Sequence, residues 1–160
     1  GESVTMATEA SLLGTPAVLV CPLEEMGVPR LMEKYGMTIW YKGWKDEILD
    51  IAENASVVAI DEAQFFNDSI LDVCKTLASQ GKRVVVAGLD TDYRGLPFGP
   101  MPQLMCEADY LDKLRAICVK CGNPASYTQR TSSDPGQVVI GELDKYEARC
   151  RNCFQAPRED

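Results

Sequence analysis

The 160 residues hold 16 Lys+Arg against 24 Asp+Glu and no His, a formal charge of −8. The acidic excess excludes nucleic-acid binding through a broad basic field, and the missing imidazoles exclude Ser–His and Cys–His nucleophiles and His metal ligands. With 46% hydrophobic and 25% charged residues, the chain fits one ordinary globular domain, or a core with a small appendage.

Residues 4–13 are expected to form a helix ended by Gly14, followed after Pro16 by a buried strand, Ala17-Val18-Leu19-Val20-Cys21. A short helix over 28–35 stops at Gly36, and Met37-Thr38-Ile39-Trp40-Tyr41 is strand-like. Residues 45–53 predict an amphipathic helix with Ile48, Leu49, Ile51 and Ala52 on its apolar side. Val57-Val58-Ala59-Ile60 is a second buried strand and runs into Asp61-Glu62. Asp68 is placed to cap a helix carrying Ile70, Leu71, Val73, Cys74 and Leu77, and Gly81 ends it. Val84-Val85-Val86-Ala87-Gly88-Leu89 is the third apolar strand. Short apolar strands alternating with helices predict an α/β fold with a parallel sheet. Residues 90–104, rich in Gly, Pro and Asp, predict a long functional loop. From Leu114 onward short β-type runs surround cysteines: Ile117-Cys118, Ser126-Tyr127-Thr128, Val138-Val139-Ile140 and Tyr146-Glu147-Ala148. Residues 131–136 read as a mobile turn. No apolar run approaches the roughly 18 residues of a membrane span, and no signal peptide is evident, so no membrane partner and a cytoplasmic location are expected. The chain opens on Gly1, as a fragment or a processed product does.

Four of the seven cysteines form two C-x-x-C pairs, Cys118/Cys121 and Cys150/Cys153. An odd total without a signal peptide argues against a secreted disulfide scaffold. Two knuckles of two sulfurs each suit structural zinc, with redox-active dithiols as the alternative. Cys21, Cys74 and Cys106 stand alone and are expected to be buried small hydrophobes.

Asp61-Glu62 directly follows an apolar strand, and ligands of open α/β sheets bind beyond the carboxyl ends of the strands. An Asp there can hold Mg²⁺, and a neighbouring Glu can take a proton from an attacking hydroxyl. A solvated turn accounts for the same pattern. Phe65-Phe66 could wall a planar ligand or be core.

Val57 to Phe66, with its Asp61-Glu62-Ala63-Gln64-Phe65-Phe66, resembles the Walker B segment of the thymidine kinase family of the cytosolic and bacterial type. Val86 to Gly99, containing Asp90-Thr91-Asp92-Tyr93-Arg94-Gly95, is similar to that family's next strand and loop. Both C-x-x-C pairs and Asp144-Lys145-Tyr146 resemble its zinc-held lasso, so the likeness runs from about residue 46 to about 154. It implies a P-loop-NTPase-like parallel sheet core, a small β-rich zinc-binding lasso domain, and transfer of the ATP γ-phosphoryl group to the 5′-hydroxyl of thymidine. In that reaction Glu62 would be the general base and Asp61 would bind the Mg²⁺ of Mg-ATP. Phe65, Leu89, Tyr93 and Phe98 would wall the base pocket. Thr128, Val139, Gly141 and Tyr146 would close over the nucleoside, and Cys118, Cys121, Cys150 and Cys153 would hold zinc. Glu142 departs from the family pattern, where a smaller residue is common. The resemblance also implies a homotetramer.

The family's phosphate cradle, G-x-x-x-x-G-K-[ST], is absent from all twelve glycines: the only Gly-Lys is Gly81-Lys82, followed by Arg83, with Thr76 where the first Gly belongs. Residues 1–45 do not resemble thymidine kinase. Their Gly1 to Ala10 and Leu12 to Ala17 segments are similar to the C-terminal domain of two-Rossmann-domain glycosyltransferases and epimerases, where a Glu like Glu9 contacts a ribose. The expected organisation is therefore a segment of unrelated character over 1–45, a thymidine-kinase-like core over 46–112 and the zinc lasso over 113–160. Normal phosphoryl transfer is not expected without another element to hold ATP. A non-catalytic thymidine-binding or zinc-stapled assembly module, and nucleotide-sugar binding through residues 1–16, are the competing readings.

Overall fold

The computed structural model describes residues 13–21, 38–41, 45–131 and 145–157. Four strands, β1 (Ala17–Cys21), β2 (Thr38–Tyr41), β3 (Val57–Ile60) and β4 (Arg83–Val86), form one sheet in the order β2-β1-β3-β4. All three pairings are parallel, with Val18 opposite Thr38 and Val58, and Val58 opposite Val84. The α/β expectation is met. The expected helices over 4–13 and 28–35 fall outside the described residues except for Leu13, as do Val138 to Ile140, residues 132–136 and Glu9.

Alternation along the strands sorts the core. Val18, Val20, Val58 and Ile60 share a buried cluster with Ile48 and Ala52 of α1 (Lys45–Ile51) and its end, and with Ile70, Val73 and Leu77 of α2 (Ser69–Ser79). Ala17, Leu19, Cys21 and Ala59, pointing the other way, are buried too. Burial on both faces is what a parallel sheet requires, and it explains why these strands read as continuous apolar runs.

Helix α2 begins differently from expectation. The Asp68 side chain makes no capping bond; the Asn67 side chain instead accepts the Ser69 N–H at 3.0 Å and the Ser69 hydroxyl. Asp68 already has helical backbone angles, so its carboxylate cannot reach back over the first turn. The other end is as expected. Gly81, at φ 78°, donates to Ala78 O at 2.9 Å, and Lys82 N donates to Leu77 O at 3.2 Å, a Schellman closure. Lys82 Nζ then donates to the carbonyls of Glu53 and Ala55, each at 2.8 Å, tying the end of α2 to the exit from α1.

Two further expectations are corrected. Strand β4 stops at Val86 rather than Leu89, because the chain turns off the sheet once Ala63 N has bonded Ala87 O at 3.0 Å. The loop expected over 90–104 ends early: Met101–Glu107 is a helix, α3. Pro102 sits in its first turn, where a missing N–H costs nothing, and Met101 and Leu104 bury themselves one turn apart.

The chain divides into two compact units. One takes the described residues up to Leu89 together with Gly99–Cys106; the other takes Asp90–Phe98 and the described residues from Glu107. The second is built from short antiparallel pairs, β5 (Ala116–Ile117) with β6 (Pro124–Ala125) and β7 (Tyr127–Arg130) with β8 (Tyr146–Arg149). Among the described residues no helix is long and apolar enough to cross a membrane.

Leu77 is fully buried under the sheet. Leu77→Ala should cost about 2–5 kcal/mol, read as a fall in the urea midpoint.

Candidate active site and metal centre

The sheet order places a topological switch point between β1 and β3, because β1 is followed by β2 on one side and β3 by β4 on the other. Asp61 and Glu62 stand at that point. Asp61 N donates to Val20 O at 2.9 Å and Ala87 N to Ile60 O at 2.9 Å, so the end of β3 is held from both sides. Asp61 is buried. Its Oδ1 accepts the Glu62 N–H at 2.9 Å, while Oδ2 is buried with no hydrogen-bond partner among the described residues. A buried carboxylate oxygen left so is costly, and it suits a hard cation or that cation's water.

Glu62 has φ 52° and ψ 41°, the left-handed region, which costs a side-chain-bearing residue roughly 1–2 kcal/mol. A 3₁₀ turn over Ala63–Phe65 follows at once. Gln64, buried within it, donates from Nε2 to Glu62 Oε2 at 2.6 Å and accepts the Leu89 N–H at Oε1 at 3.0 Å. Phe65 and Phe66 are both half-buried, and Phe66 packs against the core cluster. Leu89 is 46% exposed.

In the second unit the segment 90–98 is organised by Asp92, which is 3% exposed. Its Oδ1 accepts the N–H groups of Arg94 at 2.9 Å and Leu96 at 3.1 Å, and its Oδ2 accepts Arg94 Nε at 3.0 Å. Burial opposes ionisation, but the Leu96 and Arg94 N–H groups and the guanidinium outweigh it and hold the carboxyl below its ordinary 3.8. Phe98 N donates to Asp90 O at 3.1 Å, closing the loop, and Lys113 pairs with Asp90.

The guanidinium of Arg130, a buried residue on β7, lies 3.6 Å from the Tyr93 ring centroid and donates to Tyr146 Oη at 3.1 Å. Tyr93 and Tyr146, distant in sequence, are thus brought to one cation. Thr128 lies on β7 opposite Ala148. Tyr127 and Phe154 stack with centroids 4.6 Å apart. Val139 and Gly141 lie outside the described residues. Phe65 and Leu89 belong to the first unit, and Tyr93, Phe98, Thr128 and Tyr146 to the second.

The sulfurs of Cys118, Cys121, Cys150 and Cys153 all lie within 4.8 Å of one another. Cys121 and Cys150 Sγ are 3.5 Å apart, too far for a disulfide and near the about 3.8 Å edge of a tetrahedron with zinc at its centre. Each pair sits in a tight turn: Gly122 N bonds Cys118 O at 2.9 Å, and Cys153 N bonds Cys150 O at 3.0 Å. Burial opposes ionisation of Cys118, but the backbone N–H groups of Cys150, Cys121 and Lys120 bring its thiol down to about 6. Cys153 is pushed up to about 12 by its hydrogen bonds to Cys121 and Cys150, by burial and by Cys118. Four thiols around one charge compete for it, and a dication removes the competition. The set fits zinc in donor type, number and spacing. Among the lone cysteines, Cys21 is buried as expected and Cys74 is partly buried, with desolvation raising its thiol to about 11. Cys106, in the last turn of α3, is exposed, against expectation.

Gln64, Asp92 and Arg130 are the site residues that sequence reasoning missed. Only Asp92 carried a local signal, an Asp followed at two and three residues by Arg94 and a turn Gly95.

Purified chain should carry one zinc per molecule by atomic emission. Chelation, or Cys150→Ala, should strip hydrogen-exchange protection from β5 to β8, since structural zinc supplies on the order of 10–16 kcal/mol in small peptides. The depressed Asp92 carboxyl stabilises its loop when ionised. That contribution is present above its ordinary 3.8 and is lost as pH falls through its lower folded value. The Arg94 and Leu96 amides should therefore lose exchange protection only in strong acid, and Asp92→Ala should remove that protection at neutral pH.

A family model described as thymidine kinase matches residues 39–154. Thymidine kinase of Rhodothermus sp. is 56% identical over 113 residues, covering 71% of this chain and 53% of the relative. Those of Bacteroides thetaiotaomicron and Bacteroides fragilis are each 52% identical, over 69% and 71% of this chain and 56% and 57% of their own. The chain thus spans about half the length of the curated relatives it matches, and the match takes in β2 and α1 as well as the three motifs. From residue 39 to the second cysteine pair, this chain belongs to the thymidine kinase family.

Proposed function

We propose that these residues supply the nucleoside-binding and proton-accepting side of an ATP-dependent thymidine kinase, a phosphotransferase acting on the 5′-hydroxyl of thymidine. The observation that best supports it is the carboxylate pair at the switch point, with Glu62 in a left-handed turn at the sheet's rim. Glu62 takes the proton of the 5′-hydroxyl as its oxygen attacks phosphorus. Asp61 is the residue that would hold Mg²⁺ beside the ATP phosphates, directly or through water, and its unpartnered Oδ2 suits that task. When bound, the ion draws charge from the phosphoryl oxygens.

Phe65, Leu89, Tyr93 and Phe98 wall the pyrimidine, and Thr128, Val139, Gly141 and Tyr146 form the lasso contact. The parallel order β2-β1-β3-β4 supports a P-loop-NTPase-like class. We assign the same proposal a cytoplasmic setting and a homotetramer, as in the resemblance. A second reading, thymidine binding without phosphoryl transfer, applies to these 160 residues taken by themselves, in which no G-x-x-x-x-G-K-[ST] occurs.

Calorimetry with thymidine and with Mg-ATP, beside an assay of thymidine monophosphate formation, separates them. The kinase reading expects both ligands to bind and product to form. Glu62→Gln should then lower kcat by about 10²- to 10⁴-fold with little change in thymidine KM. Thymidine binding without Mg-ATP binding or product selects the second reading. Absence of thymidine binding overturns both.

A further inference from the structure

We propose that Gln64 is a positioning residue: one buried side-chain amide aims the Glu62 carboxylate and fixes the Leu89 backbone, tying the proton acceptor to a wall of the nucleoside pocket. This rests on the thymidine reading above and adds a residue that reading does not use.

The amide's orientation is forced. The Leu89 backbone N–H can only donate, so the atom facing it at 3.0 Å is the oxygen, Oε1. The NH₂ group therefore faces Glu62 Oε2, at 2.6 Å. A flipped amide would set oxygen against a carboxylate and NH₂ against N–H, losing both bonds. Gln64 is 3% exposed, so water cannot replace either partner cheaply.

The surroundings press on Gln64 from two sides, on its side-chain oxygen and on its backbone carbonyl. A Cβ on Gly88 would lie 2.7 Å from Gln64 Oε1 and 2.8 Å from Met101 Sδ. One on Gly99 would lie 2.2 Å from the Gln64 carbonyl oxygen, and Gly99 has φ 48° as well. Two glycines thus make room for one glutamine, one on each side of the 90–98 loop. On the other side the left-handed backbone of Glu62 directs its side chain, and the Gln64 bond takes Oε2. Oε1 is left without a partner among the described residues, as an acceptor for a hydroxyl. A glutamate has three side-chain torsions to immobilise; pinning the carboxylate beforehand spares that cost when substrate arrives. A buried glutamine serving packing alone has no need of a half-buried carboxylate as partner.

The test reads the hydroxyl contact by itself: the ratio of dissociation constants of 5′-deoxythymidine and thymidine, which differ only in the 5′-hydroxyl. In the parent chain thymidine should bind about tenfold tighter or more, the range of a hydrogen bond to a charged group. Glu62→Gln should reduce that ratio. Gln64→Met keeps the length of the side chain but removes the donor to Glu62, and should bring the ratio to within about twofold of unity. Gly88→Ala removes no polar group yet displaces the amide, and should do the same; it carries the test if Gln64→Met fails to fold. Zinc content and thermal melting certify each variant. A parental ratio retained in folded Gln64→Met or Gly88→Ala overturns the inference while leaving the thymidine reading intact. A parent that does not bind thymidine, or a ratio unmoved by Glu62→Gln, overturns the reading and the inference with it.

Discussion

Four sulfurs crowded within 4.8 Å cannot all carry charge without a cation between them, and the second unit depends on that constraint. Among the described residues its buried apolar cluster is Cys118, Ala125 and Cys150, with Ala148 and Cys153 against it. At about 25 cal/mol per Å² such a core contributes little against the entropy of ordering its strands, two of which are two residues long. The thiols compete for charge: hydrogen bonds from backbone N–H groups favour the thiolate of Cys118, and its neighbours then disfavour that of Cys153. Neutralising the set with one ion converts that competition into the bond that closes the unit.

The first unit is held in the opposite way. Its central strands β1 and β3 are buried on both faces, and all three strand pairings are parallel and in register. That rigidity lets the end of β3 store strain. A left-handed Glu62 persists because Asp61 N, Ala63 N and Ala87 N are each fixed to a neighbouring strand or its exit. The strain sits where a carboxylate is presented at the rim, and the surrounding core supplies the stability that offsets it.

The sequence made strands β1 and β3 legible because residues buried on both sheet faces must be apolar in succession, as Ala17 to Cys21 and Val57 to Ile60 are. The cysteine cluster was legible because each knuckle is local. What could not be read depends on partners far along the chain. Gln64 looks like a polar residue in a turn until Leu89, 25 positions away, is known to meet it. Arg130 reads as a solvated strand residue until Tyr93 and Tyr146 close on it. Helix α3 was hidden by Pro102 and the glycines before it, which mark a loop in composition while standing at a helix start in fact. Asn67 outbid Asp68 as a cap by one position, within the usual uncertainty of a helix end.

The glycines around the 90–98 loop acquire a different meaning from this. In isolation Gly88 and Gly99 are loop residues, permissive by nature. Against Gln64 they are the space it occupies: a methyl group at either would overlap the glutamine by well over half an ångström relative to ordinary contact. A buried polar group that satisfies two partners is worth keeping only if the packing around it admits no alternative, since a half-satisfied amide costs more than an apolar side chain in its place. Gly88 faces the Gln64 side-chain oxygen and Gly99 the Gln64 backbone carbonyl, so two points of the first unit are set by one residue. A change in loop sequence can be tolerated between those points far more readily than at them.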